Sequence, residues 1–256
     1  MMKFIKRFYL GIILFFLYVP IIALIAQSFN AGKSRAKWEG FSFRWYGELL
    51  SDPSIMNALY VTVSIALLAA LFSTILGTLA AIGIHAMKKK PQALMMTITN
   101  IPMTMPDIVT GISLMLLFIF VQVKRGYWSM LLAHITFDTP YVILSVLPKL
   151  KQMNKHSYEA ALDLGASPWY ALFHVIIPSI KPGIITGAML AFTLSLDDFT
   201  VSYFTTSPLV QNLSTLIYSQ ARKGIEPTMN ALSALMFIAL LILLLIVNRR
   251  TATDNK

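Results

Sequence analysis

Apolar residues in this chain come in long, nearly unbroken runs separated by short polar stretches. Runs of about 20 residues match the length a helix needs to cross a bilayer. Six spans are predicted: Phe8–Phe29, Ala58–Met87, Ile98–Val121, Trp128–Leu147, Gly183–Phe204 and Ala231–Val247. The second is long enough to tilt or to extend past the bilayer. The first is longer than the apolar core of a signal peptide and lacks a convincing small-residue cleavage site, so it is read as retained. In the third, Pro102 and Pro106 predict a kinked or broken helix, a feature common where a pathway is built.

Composition agrees with the pattern. The 256 residues are 57% hydrophobic and 12% charged, against roughly 25% charged in a soluble domain. Such a chain cannot cover its own surface in water. The net charge of +10 would suggest nucleic acid as a partner for a soluble protein. Here the basic residues flank apolar runs, where the positive-inside rule places them, so nucleic acid is set aside. With no cysteine, the chain has no disulfide and no cysteine-based metal or redox site. No repeat or linker divides it, so residues 1–256 are expected to form one membrane domain.

The charges also set an orientation. The N-terminus, the second-to-third and fourth-to-fifth connections and the C-terminus carry 13 Lys and Arg; the other three connections carry 8. That bias puts both termini in the cytoplasm, and an even number of spans agrees in placing them on one side. The first outer connection, about residues 30–57, contains "WEGFSFRWY" (Trp38 to Tyr46). Trp and Tyr favour the headgroup region, so an interfacial segment is the plainer reading and docking of an external partner the sharper one.

The longest inner connection, about residues 150–180, contains "YEAALDLGASPWYALFHVIIP". Glu159, Ala160, Ala161 and Leu162 favour a helix. Glu159 and Asp163, four apart, share a face of it. Gly165 ends or bends it. Ser167 and Pro168 read as the cap and first turn of a second helix, with Pro178 and Pro182 as a stop before the fifth span. A short helix with little apolar area needs a partner to hold it. The alternative is an amphipathic connector lying on the membrane surface.

Glu159-Ala160-Ala161, then Gly165, then Val175-Ile176-Ile177-Pro178 resembles the EAA loop of binding-protein-dependent ABC importer permeases. Further stretches resemble the spermidine/putrescine permease subunits of that family: "MPDIVTGISLMLLF", "HITFDTPYVI" and "FTLSLDDFTVSYF". The resemblance implies an all-α, six-span membrane protein of the type I importer (MetI-like) fold. It implies a coupling segment built on Glu159, Ala160, Ala161, Asp163 and Gly165 that docks on an ATPase. The implied partners are a second permease subunit, two ATPase subunits and an external substrate-binding protein. ATP would be bound by the ATPase subunits. The chain itself has no phosphate-binding G-x-x-x-x-G-K-[ST] loop and no H-E-x-x-H, so it is read as a non-catalytic subunit without cofactor. His134 and Asp138 are four apart, but two ligands do not make a metal site, and a packing hydrogen bond is the preferred reading.

Four acids fall inside predicted spans: Asp107, Asp138, Asp197 and Asp198. Each costs roughly 2.5–3.5 kcal/mol at a helix centre. No Lys or Arg lies within the span cores to neutralise them. Carboxylates along a path, with aromatic faces such as Tyr203, Phe199, Phe204 and Trp128 between them, match an extended polyamine. Asp198 is placed first as a pathway residue, then Asp107, then Asp197, with Asp138 and Tyr203 beside them. The alternative is that some of them cap kinked helices or bond to Ser195 or Thr200. Other cargoes (ferric iron, thiamine) and an intramembrane enzyme using paired aspartates remain as competing readings; an anion would call for basic residues in the spans. Ser73, Gly77 and Ala81 form a small-residue series on the second span, expected to pack closely within the chain or against a second subunit.

Overall fold

The structure, a computed structural model, describes residues 2–34, 37–224 and 226–253. Twelve α-helices are found among them: α1 (Met2–Ser28), α2 (Arg44–Ser51), α3 (Pro53–Ala86), α4 (Lys89–Thr104), α5 (Asp107–Phe120), α6 (Tyr127–Gln152), α7 (Lys155–Asp163), α8 (Pro168–Ala171), α9 (Ile177–Asp197), α10 (Thr200–Thr205), α11 (Leu213–Lys223) and α12 (Pro227–Thr253). A π-helical turn, Leu172–Ile176, joins α8 to α9. Two isolated β-bridges are the extent of sheet pairing among the described residues. Among the described residues, five helical stretches are long and apolar enough to cross a membrane: Arg7–Ser28, Pro53–Ala86, Tyr127–Gln152, Pro168–Asp197 and Pro227–Leu245; the bent pair α4 and α5 makes a sixth if taken as one span. Of the basic residues used to orient the chain, Arg35 and Lys256 lie outside the described residues.

The third span is broken, as its prolines predict. It is not one helix over Ile98–Val121: α4 and α5 meet at 105°. Met105, with ψ 145°, is extended, as the residue before a proline prefers. Pro106 has no N–H to continue the ladder, so Asp107 starts a new helix. The fifth span is also broken. α9 stops at Asp197, Asp198 is extended with ψ 126°, and α10 begins at Thr200.

The opposite correction applies at residues 178–182. The expected proline stop is absent, and helix runs from Pro168 to Asp197. At Pro178 the π-helical turn accounts for this: Ile177 N–H reaches Leu172 O, five residues back, while Pro182 lies within α9. That widened turn ends immediately before Pro178 and relieves the ring clash a proline makes with the carbonyl four residues earlier.

The chain divides into two compact units, Met1–Ala58 with Thr215–Leu244, and Leu59–Ser214 with Leu245–Lys256. In the first, "WEGFSFRWY" folds onto the end of α1. Phe41 stacks on Phe29 at 5.1 Å, and Phe43 meets both rings edge-on. Trp45 is buried and donates its indole N–H to Asn30 O at 2.6 Å. Buried Asn30 accepts from Glu39 N and donates to Lys37 O.

In the second unit α6 is the axis. Lipid is as apolar as leucine, so spans associate by close backbone approach and polar bonds. Both occur here. Ser73, Gly77 and Ala81 pack within the chain, with Gly77 against Val142 of α6. Gly183 and Gly187 of α9 press on Ser145 O and on the Val142 backbone of the same helix. Gly111 of α5 faces Phe204 and Thr200 O of α10.

Candidate functional site

The middle of α6 and the broken ends of α5, α9 and α10 bring the four span acids into one neighbourhood. Asp138 lies within electrostatic reach of Asp198, and Tyr141 within reach of both Asp107 and Asp138. Their surroundings differ sharply, and that sorts their chemistry.

Asp107 is exposed at the first turn of α5, where the helix's positive end favours a carboxylate. Asp197 is exposed as the last residue of α9. Asp198, in the break, accepts from Val201 N at 3.1 Å and Ser202 N at 2.7 Å. These are free N–H groups at the start of α10, so Asp198 caps it. The helix-centre cost assigned to these three from sequence therefore does not apply: each sits at a helix end or break. Asp138 alone keeps it. It is mid-helix and fully buried, and neither carboxyl oxygen has a hydrogen-bond partner.

His134 is 1% exposed, and its ring nitrogens are engaged on two sides. Nδ1 is 2.6 Å from Ser195 Oγ; Nε2 is 2.9 Å from Ser202 Oγ and 3.5 Å from Asp198 Oδ2. Asn212 adds bonds from its Nδ2 to Ser202 Oγ at 2.8 Å and Asp198 O at 3.2 Å. The sequence reading set a shared His134–Asp138 metal aside for a packing hydrogen bond, and His134 makes such bonds, to α9 and α10. Ser202 and Asn212 carry no sequence signal of their own. Of this cluster the sequence singled out Asp198, Ser195 and His134.

Aromatic rings line the exposed side of the break. Tyr203 is exposed, with its ring 5.4 Å from both Phe199 and Phe204. Trp128 is 71% exposed at the start of α6 and meets Tyr127 edge-on.

The second candidate region is the segment after α6. Asn154 caps α7 by accepting from His156 N at 3.0 Å. Glu159, Ala160, Asp163 and Gly165 are exposed, and Ala161 is half-buried. Gly165 has φ +89°, Gly165 N bonds to Leu162 O, and Ala166 N to Ala161 O. This paired closure is the Schellman arrangement, which puts its glycine in the left-handed region. Ser167 Oγ then accepts from Tyr170 N at 3.2 Å and starts the next helix. Helix, glycine turn and capped restart follow the sequence reading. Leu164 at 89% and Trp169 at 70% exposure leave an unusually apolar surface around the turn.

Comparison with known proteins follows from this geometry. A family profile described as "Binding-protein-dependent transport system inner membrane component" matches residues 73–250. The spermidine/putrescine transport system permease protein PotC of Escherichia coli K12 is 36% identical over 230 residues, covering 90% of this chain and 87% of that protein. The putrescine transport system permease protein PotI of the same strain is 40% identical over 231 residues, covering 86% and 81%. PotC of Haemophilus influenzae is 35% identical with 98% of both chains covered. Among solved structures, a bacterial ABC transporter that imports the acidic polysaccharide alginate aligns with TM-score 0.71 at 20% identity over 99% of both chains. The MetNI methionine transporter aligns at 0.65 and 16%, covering 77% of this chain and 96% of that one. At those identities the likeness establishes the all-α importer-permease fold.

Proposed function

This chain belongs to the family of binding-protein-dependent transport system inner membrane components, and on that premise we propose that it is a permease subunit of an ATP-driven importer of polyamines. Curated relatives at 35–40% identity carry the polyamine reading through their names. The observation on the molecule itself that supports it is the arrangement of acids. Asp107 and Asp197 are exposed at two helix breaks, with Tyr203 and Phe199 beside the second. Carboxylates paired with aromatic faces suit ammonium groups spaced by methylenes. The names of those relatives set a polyamine above thiamine or ferric iron, and in this reading the helix ends holding the acids line a path.

In this reading Asp107, Asp197 and Tyr203 meet the substrate. Asp198 contributes its charge from behind the break. Asp138 joins the path in a more open state of the transporter. The subunit works beside a second permease. An external binding protein delivers substrate, and two ATPase subunits bind ATP on the cytoplasmic side. Glu159, Ala160, Ala161, Asp163 and Gly165 dock on an ATPase, and ATP-driven closure moves α7 and switches the access of the cavity. Both termini lie in the cytoplasm, as the charge bias directs.

Uptake of labelled spermidine and putrescine by cells carrying the whole transporter tests this. Asp107→Asn and Asp197→Asn should each cut uptake at least fivefold per inserted copy. Uptake at the unmutated rate in both variants would remove the pathway assignment.

A further inference from the structure

We propose that His134 is a positioning residue: from α6 it holds the break between α9 and α10 in the form that commits Asp198 to capping and leaves Asp197 free for a cationic substrate. The geometry that supports this is one imidazole bonded to Ser195 in the last turns of α9 and to Ser202 in the first turn of α10. In an unbroken helix, residues seven apart stand about 10.5 Å from each other along the axis. Two hydroxyl oxygens at 2.6 and 2.9 Å from the nitrogens of one imidazole ring stand closer together than that. The His134 bridge spans the break and favours this interrupted form over the straight one.

The surroundings reinforce the clamp. Asn212 ties the Asp198 carbonyl and the Ser202 hydroxyl together. At the far end of α10, Ser129 of α6 donates to Thr205 O at 2.8 Å. α6 thus grips α10 at both ends, and the buried polar atoms of this network partner one another. Asp197, one residue before the break, makes no part of the clamp and stays exposed. A neutral imidazole satisfies every bond: Ser195 donates to Nδ1, and Nε2–H is given to the Ser202 and Asp198 oxygens.

Two readouts test the proposal on the complete transporter in native membrane vesicles. The first needs no substrate. The chain has no cysteine, so Asp197→Cys and Val201→Cys each give this subunit a single thiol. Val201 is fully buried; a water-soluble maleimide should label position 197 at least tenfold faster than position 201. Adding His134→Ala should speed labelling at 201 at least fivefold, and Ser195→Ala, the milder change, should act in the same direction. Protection at 201 unchanged by both substitutions overturns the proposal.

The second readout rests on the polyamine-import reading. His134→Ala should raise the KM for labelled spermidine at least fivefold per inserted copy. Asp197→Asn added to it should raise KM less than twofold further. A lower maximal rate with KM unmoved, or full additivity, overturns the positioning role. Absence of polyamine uptake by the unmutated transporter would sink the import reading, and thiol labelling would then decide the role of His134 alone.

Discussion

A Cβ placed on Gly77 would lie 2.6 Å from the Cβ of Val142, so α3 and α6 approach as closely as a glycine permits. Gly77→Ala should destabilise the subunit by about 1–3 kcal/mol through overpacking. Gly83, on the same helix, has nothing within 4 Å of such a Cβ, and Gly83→Ala should be neutral or stabilising by about 0.5–1 kcal/mol. Thermal melting of the detergent-solubilised transporter separates the two. Equal behaviour would mean that the α3–α6 contact does not govern stability.

Gly165 poses a different constraint. Space around it is open, but its φ of +89° is unfavourable for a side chain bearing Cβ. Gly165→Val should cost about 1–2 kcal/mol locally and reorient α7 against its partner, reducing uptake at least fivefold. Gly165→Asn, which tolerates the left-handed region, should retain most uptake. An asparagine variant as impaired as the valine variant would argue that something other than backbone conformation fixes this position.

Glu159 has a side chain 69% exposed and lies 3.2 Å from the exposed His156 ring. Glu159→Lys should leave membrane abundance unchanged while abolishing uptake and weakening co-purification of the ATPase. Normal uptake and ATPase recovery in that variant would remove the docking assignment.

How much of this was legible in the sequence depends on the kind of signal. Span positions follow from apolar run length, and the turn at Gly165 and restart at Ser167 follow from local backbone preferences. Each is set by a few adjacent residues. Pro106 announced a break because its missing N–H acts locally. The proline stop at Pro178 was misread because a π-helical turn, which no residue type specifies, absorbed the ring. The Asp198 break fell inside one predicted span, with capping of a kinked helix only as the alternative, because it is stabilised by residues far away in the chain. Ser202 lies 68 residues from His134, and no spacing rule reaches that far. The four acids looked alike in sequence, and only their helix-end geometry separates exposed Asp107 and Asp197, capping Asp198 and buried Asp138.

Orientation is open to direct measurement, since introduced thiols are unique in this chain. Lys33→Cys and Ser157→Cys fall on opposite sides in the charge-based topology. An impermeant maleimide should label Lys33→Cys in intact spheroplasts and Ser157→Cys only after lysis. The reverse pattern would invert the topology and with it the cytoplasmic placement of α7.

Asp138 offers the sharpest conflict between stability and use. Both of its oxygens are buried without a partner, and such a group costs about 1–3 kcal/mol. A residue kept at that cost within a span is expected to serve the pathway. Asp138→Leu should therefore raise the melting midpoint of the solubilised transporter while cutting polyamine uptake at least fivefold per inserted copy. Asp138→Asn, which keeps the shape and removes the charge, should lose uptake to a similar degree. Leucine and asparagine variants that transport normally would exclude Asp138 from the path. A lower melting midpoint for leucine would mean that the carboxyl finds a partner in the assembled transporter.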